Sequence, residues 1–224
     1  LNGVLITHLH SDHITDLNDV ITTSWVGSFS EQKPLQIVGP LGTKEAVDRL
    51  LHFLTPDIGY RIAHHADLNN PPAINVIEIE SGVVELEGKV KISVQPSDHR
   101  PVDPTIAFRF DYQTDAVVVA GDTIPCAGLD KLCEGAQALV HTVIRKDIIE
   151  NIPIQRLQDV CDYHSSVEEA SQTAERAGID TLVLTHYVPA FPSGQGDEWK
   201  EVASKYFSGK IELGDDLHRV EVGD

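Results

Sequence analysis

His8-Leu9-His10-Ser11-Asp12-His13 sets three imidazoles and a carboxylate within six consecutive residues. Neutral imidazole nitrogens together with a carboxylate form the ligand set of divalent transition metals, zinc above all, although the same donors accept manganese or iron. A polar loop rich in histidine by accident is the bland alternative, and the density of donors favours a metal site. A site for two metal ions needs about seven protein ligands with a bridging solvent. Three further candidates each follow an apolar run: His99 in Pro96-Ser97-Asp98-His99, Asp122 in Gly121-Asp122-Thr123, and His186 after Thr181-Leu182-Val183-Leu184-Thr185. A single His or Asp at such a place is usually a cap or turn residue. Beside the opening cluster, all three read as ligands, because loops at strand ends gather functional groups on a rigid frame.

The elements that must position these residues are legible in outline. Val4-Leu5-Ile6-Thr7 reads as a buried strand that delivers the first cluster at its C-terminal end. Helical spacing runs from Ile14 to Val26, and Leu35–Val38 is a strand ended by Gly39-Pro40. Thr43 opens a helix with one apolar face, and residues 57–70 allow a short helix. From Asn75 the period changes to two, with strands expected at Val76–Glu80, Val83–Glu87, Val90–Val94, Thr105–Phe110 and Ala116–Ala120. Strand Leu139–Val140, helix Ser165–Ala177, strand Thr181–Thr185, helix Glu198–Phe207 and strands Ile211–Leu213 and Arg219–Val222 follow. Ser165 with Glu168 is expected to form a capping box, and Gly178 to end that helix. Strands and helices mixed in this order predict an α/β (α+β) chain of two sheets covered by helices, one domain spanning residues 1–224.

Composition narrows the function classes. With 224 residues, 41 % of them hydrophobic, the chain can bury a sizeable core, and no apolar run is long enough to cross a membrane. Cys126, Cys133 and Cys161 are three in number and form no C-x-x-C pair, so they read as reduced thiols of a cytoplasmic protein. The net charge of −18, without a basic stripe, excludes a free nucleic-acid binder of the ordinary kind. It fits a small anionic substrate, or an RNA gripped mainly at its end. The chain begins at Leu1 and contains no Met, so strands preceding the first motif are expected to be missing.

The series H-L-H-S-D-H, D-H-R-P with I-A-F-R-F, A-G-D-T, D-Y-H-S-S-V-E-E-A and L-T-H resembles the metallo-β-lactamase superfamily. Within it, the series is similar to the ribonuclease Z branch, especially its short actinobacterial members and their arylsulfatase-like relatives. The resemblance runs from Leu5 to about His186 and implies a four-layer αββα sandwich, here without its first N-terminal strands. It also implies that His8, His10 and His99 hold one zinc, that Asp12, His13 and His186 hold a second, and that Asp122 bridges them. Asp12 would orient the attacking hydroxide, and His164 matches the family's catalytic histidine. Asp98 and Asp162 are the sequence neighbours that could fix the imidazoles of His99 and His164. His141 falls near the metal edge by the same alignment, with Thr142 where the family often has an acidic residue. Arg100 and Arg145 either grip an anion or act as solvated or capping residues, whereas His52, His64, His65 and His218 read as structural or surface residues.

Three readings of function follow. The first is a zinc-dependent phosphodiesterase of the ribonuclease Z type, in which a bridging hydroxide attacks phosphorus, with precursor tRNA 3′ ends as a substrate. The second is an arylsulfatase-like or other small-ester hydrolase on the same centre. It is favoured because only 22 residues separate His99 from Asp122, where the full-length tRNA enzymes carry a long tRNA-gripping arm. The third is a non-catalytic metal-binding partner protein, against which His164 speaks. The resemblance further implies a homodimer.

Overall fold

The computed structural model describes residues 1–28, 33–192 and 194–223. Three short strands joined by helical crossovers make the first of two units, Leu1–Glu80 with Leu86–Gly88. In chain order these are β1 (Val4–Leu5), α1 (Ser11–Ile14), α2 (Leu17–Val26), β2 (Leu35–Gly39), α3 (Thr43–Phe53), α4 (Thr55–His64) and β3 (Ile74–Glu78). A helix between consecutive strands returns the chain to the same end, so both pairings are parallel, with Val4 opposite Ile37 and Ile37 opposite Val76. Ile6, Leu17, Ile21, Leu35, Ile37, Val47 and Leu54 form the core of this unit. The single helix expected over Ile14–Val26 is divided at Thr15-Asp16, and of the ambiguous residues 57–70 only those up to His64 belong to α4.

The second unit, Ser81–Glu85 with Lys89–Asp224, carries a seven-stranded sheet in the order β10-β9-β8-β7-β6-β5-β4. Its strands are β4 (Gly82–Val84), β5 (Lys91–Pro96), β6 (Ile106–Tyr112), β7 (Asp115–Val119), β8 (Ala138–Ile144), β9 (Thr181–Val188) and β10 (Lys210–Leu213). Its principal helices are α5 (Ala127–Cys133), α6 (Lys146–Ile149), α7 (Gln155–Gln158), α8 (Val167–Ala177) and α9 (Asp197–Ala203), with a 3₁₀ turn at Asp159–Asp162. Strands β4 to β7 form an antiparallel meander, and β7 to β10 run parallel. Two antiparallel steps make β5 parallel to β7, so the C-terminal ends of β5, β7, β8, β9 and β10 share one edge of the sheet. Phe108 is buried within this sheet, and Ala107, Val118, Leu139, Leu182 and Leu184 line the core under α5, α8 and α9.

Several sequence expectations are corrected. The strands expected at Val76–Glu80, Val83–Glu87 and Val90–Val94 are present with shifted bounds as β3, β4 and β5, and β3 pairs with β2 while β4 pairs with β5. Periodicity marks a strand and says nothing of its partner. The capping box is Ser166 with Glu169, not Ser165 with Glu168. Ser165 Oγ is occupied by the Thr123 carbonyl at 2.7 Å, which moves the cap one residue on. Gly178 ends α8 at φ 68°, as expected of a left-handed glycine. Residues 219–222 form no strand, and α9 starts at Asp197 and ends at Ala203.

Candidate metal centre

The loop leaving β1 carries the first four donors on one short segment. His8 is buried and its Nε2 lies 3.1 Å from His10 Nδ1, so one ring donates to the lone pair of the other. Thr7 Oγ1 lies 3.1 Å from His8 Nδ1. The His13 ring tilts against His8 with centroids 4.1 Å apart, and His13 Nε2 lies 3.5 Å from Asp12 Oδ2. His10 sits at the start of α1, whose first turn holds Asp12 and His13, and this turn returns both toward the strand end. The loop from β1 and the helical turn α1 that it enters thus carry His8, His10, Asp12 and His13.

In the second unit the donors meet at the shared strand edge. Asp122, just beyond β7, is 2 % exposed, a burial that an isolated carboxylate does not tolerate. Its Oδ2 lies 4.0 Å from His99 Nε2, 3.3 Å from His164 Nε2 and 3.8 Å from His186 Nε2. Three imidazole nitrogens, two from loops and that of His186 from within β9, therefore converge on one buried carboxylate. His186 adopts φ 54°, a left-handed conformation uncommon for a non-glycine residue and common at functional sites. The chemistry of the donors fits a divalent cation, since neutral imidazole and carboxylate are what such ions take.

The rings are aimed by groups that sequence reasoning did not identify. His99 Nδ1 donates to the Tyr163 carbonyl at 2.8 Å, and His164 Nδ1 donates to the Val160 carbonyl at 3.0 Å. A carbonyl only accepts, so each Nδ1 carries the proton and each Nε2 faces Asp122. Of the two carboxylates expected to do this, Asp98 pairs with Arg100, which holds the Asp98 carboxyl below the usual carboxylate range. Thr123 ties the loops together, accepting the Asp98 N–H at Oγ1 (3.0 Å) and the Ser165 N–H at its carbonyl (3.0 Å). The only sequence signal for Thr123 is its place in Gly121-Asp122-Thr123.

His141 is wholly buried on β8, and its Nδ1 donates to the Thr142 carbonyl at 2.7 Å. Burial pushes its imidazole down to about 4, so the ring is neutral at physiological pH. Thr142 donates to the Gly121 carbonyl at 2.9 Å, bracing the Asp122 loop from behind. Arg145 forms a two-pronged pair with Asp147 (2.7 and 2.7 Å), so it and Arg100 are engaged by local carboxylates. The His64 and His65 rings meet edge to face 5.0 Å apart. His218 lies 3.6 Å from Glu212. Cys126, Cys133 and Cys161 are free thiols, and burial pushes the Cys133 thiol up to about 12. Among the described residues, no helix is long and apolar enough to cross a membrane.

Comparison with known proteins agrees with this chemistry. A family model described as a beta-lactamase superfamily domain matches residues 1–187. Ribonuclease Z of Mycobacterium avium (strain 104) is 61 % identical over 223 residues, covering 99 % of this chain and 80 % of that protein. A putative ribonuclease Z of Mycobacterium tuberculosis (strain CDC 1551 / Oshkosh) is 58 % identical, covering 98 % of each chain. Among solved structures, the short form of human tRNase Z matches with a TM-score of 0.68 at 19 % identity, over 100 % of this chain and 80 % of that one. A metallo-beta-lactamase fold protein of Bacillus subtilis matches with a TM-score of 0.67 at 20 % identity, over 96 % and 75 %. The mixed sheets and helices are those of the metallo-β-lactamase fold.

Proposed function

From the premise that this chain belongs to the β-lactamase superfamily and, within it, to the ribonuclease Z family, we propose that it is a phosphodiesterase acting on RNA 3′ ends, precursor tRNA among them. The observation that carries this reading is the buried Asp122 carboxylate faced by the Nε2 atoms of His99, His164 and His186. The chain is a metal-dependent hydrolase, and residues 1–224 are read as one hydrolase domain. His8, His10 and His99 would hold one zinc ion and Asp12, His13 and His186 a second, with Asp122 contributing to both. Such ions would supply charge neutralisation at the phosphoryl oxygens and a lowered pKa of water.

The remaining work falls to the chain's own side chains. Asp12 accepts the proton of the attacking water. His164, its Nδ1–H donating to the Val160 carbonyl, would protonate the departing ribose oxygen from Nε2 in its doubly protonated form, with Asp122 Oδ2 3.3 Å from that nitrogen. The carbonyls of Tyr163 and Val160 keep both imidazoles in the tautomer that points Nε2 inward. We place the protein in the cytoplasm as a homodimer, the latter to be checked by light scattering.

A second reading, an arylsulfatase-like hydrolase of small anionic esters, is favoured by one feature. Between His99 and Asp122 the chain builds only the β6–β7 hairpin, and the net charge is −18. Zinc-loaded protein offered bis(4-nitrophenyl) phosphate, 4-nitrophenyl sulfate and a precursor tRNA with a 3′ trailer separates the two. Cleavage of the tRNA at the trailer supports the first reading. Hydrolysis of the sulfate alone replaces it with the second, and turnover of none refutes both.

A further inference from the structure

Of the three imidazoles that face Asp122, His164 is the one given no metal ion to hold, so its angle is set by the protein alone. Its ring is held at both nitrogens, Nδ1 donating to the Val160 carbonyl at 3.0 Å and Nε2 lying 3.3 Å from Asp122 Oδ2. Contacts at two ring atoms fix the line through those atoms and leave the tilt about that line open. What packs against the ring decides the tilt.

Three rings do so. His99 stands edge-on to His164, with centroids 4.8 Å apart and an interplanar angle of 81°, and His186 is stacked at 6.1 Å and 15°. Tyr163 lies 4.8 Å from His164 at 44°, and it also meets His99 edge-on at 5.2 Å and 78°. These separations fall within the range of favourable ring pairs. Tyr163, His99 and His164 therefore form a closed triangle, each ring packed against the other two. His99 and His186 are candidate ligands, which leaves Tyr163 as the ring with no part in the proposed centre.

Consecutive side chains diverge on an extended chain, and these two meet because the backbone at Tyr163 is not extended. Tyr163 follows the 3₁₀ turn Asp159–Asp162 with φ −130° and ψ 10°. The turn also presents the Val160 carbonyl to His164, and the Tyr163 carbonyl takes the His99 Nδ1 proton at 2.8 Å. One residue thus touches both imidazoles with its ring and anchors one of them with its backbone. Burial, with Asp159 and Asp162 nearby, pushes the Tyr163 hydroxyl above its ordinary value, so the side chain meets the imidazoles as a neutral flat surface.

We propose that Tyr163 is a positioning residue, whose ring wedges against His99 and His164 and sets the angle at which His164 presents Nε2 to the leaving oxygen. The inference rests on the hydrolase reading above, in which His164 protonates that oxygen, and adds what aims it. Flatness is the property that acts: a phenyl ring serves as well, and a branched aliphatic chain does not. Misplacing a reacting group by about 1 Å costs on the order of 10²-fold in rate.

The test compares Tyr163→Leu with Tyr163→Phe in the whole protein, by turnover and by a measurement that needs none. With zinc-loaded protein and a precursor tRNA, Tyr163→Leu should lower kcat by roughly 10²-fold and leave KM within about twofold. On bis(4-nitrophenyl) phosphate, whose leaving group needs no proton, the loss should stay below about tenfold. Tyr163→Phe should restore kcat on the tRNA to within about twofold of the unaltered protein. In the metal-free protein, nuclear Overhauser contacts between the ring protons of His99 and His164 should be strong for the unaltered chain and Tyr163→Phe, and weakened in Tyr163→Leu. Ring contacts undiminished in Tyr163→Leu overturn the positioning role, as does an equal loss of kcat on both substrates or a Leu variant as active as the Phe variant. An unaltered protein that cleaves no phosphodiester refutes the hydrolase reading, and the ring contacts still decide whether Tyr163 holds His164 in place.

Discussion

Replacing His164 by Ala removes the one imidazole at the Asp122 site that the proposed centre does not use as a ligand. The ring makes two polar contacts, to the Val160 carbonyl at 3.0 Å and to Asp122 Oδ2 at 3.3 Å, and packs edge-on against His99 with centroids 4.8 Å apart. Losing a partner for a buried acceptor costs about 1–3 kcal/mol. At roughly 2–4 °C per kcal/mol for a chain of this size, the melting temperature should fall by several degrees, with the protein still folded at 25 °C. Metal content, measured by elemental analysis, should be unchanged. Turnover should fall much further where the leaving oxygen needs a proton: general acid catalysis contributes roughly 10²- to 10⁴-fold. The discriminating comparison is between leaving groups. A 4-nitrophenyl ester departs as a stable phenolate and should lose less than about tenfold, whereas an RNA 3′ trailer should lose the full amount. An equal loss on both substrates would refute proton donation by His164, and loss of metal would make it a ligand.

Three further outcomes are expected. His141 is held neutral by burial, its folded value near 4 lying below the ordinary 6.5. Between those limits the unfolded chain binds more protons, so stability is full above pH 6.5 and falls on acidification until about pH 4, with a slope near 1.4 kcal/mol per pH unit at its steepest. Urea melts of the metal-free protein across that window should show the slope, and His141→Gln should flatten it. Gly128 on α5 sits with its would-be Cβ 1.9 Å from the Pro96 carbonyl, so Gly128→Ala should cost about 3 kcal/mol or more by forcing α5 away from β5, measurable by thermal melting. Chelation should lower the melting temperature of protein purified with its metal, and stoichiometric zinc should restore it, since a ligand bound only by the folded state stabilises that state. A melting temperature indifferent to chelator would count against a resident metal.

The candidate donors were named from the chain alone, by residue type and by their place in or just after apolar runs, because a ligand's chemistry is a property of its side chain and an apolar run reports its own burial. The helix from Val167 to Ala177 was legible for a similar reason, its cap and its terminal glycine being local signals, although the cap lies one residue later than its spacing indicated. Which nitrogen of each imidazole faces Asp122 was not legible. That choice is made by the carbonyls of Tyr163, 64 residues from His99, and Val160, four residues before His164. Every residue carries the same carbonyl, so no residue type marks the one that will anchor a ring. The partner of β3 and the brace from Thr142 to Gly121 are settled in the same way, by backbone groups and packing surfaces that acquire a role only when the chain has folded.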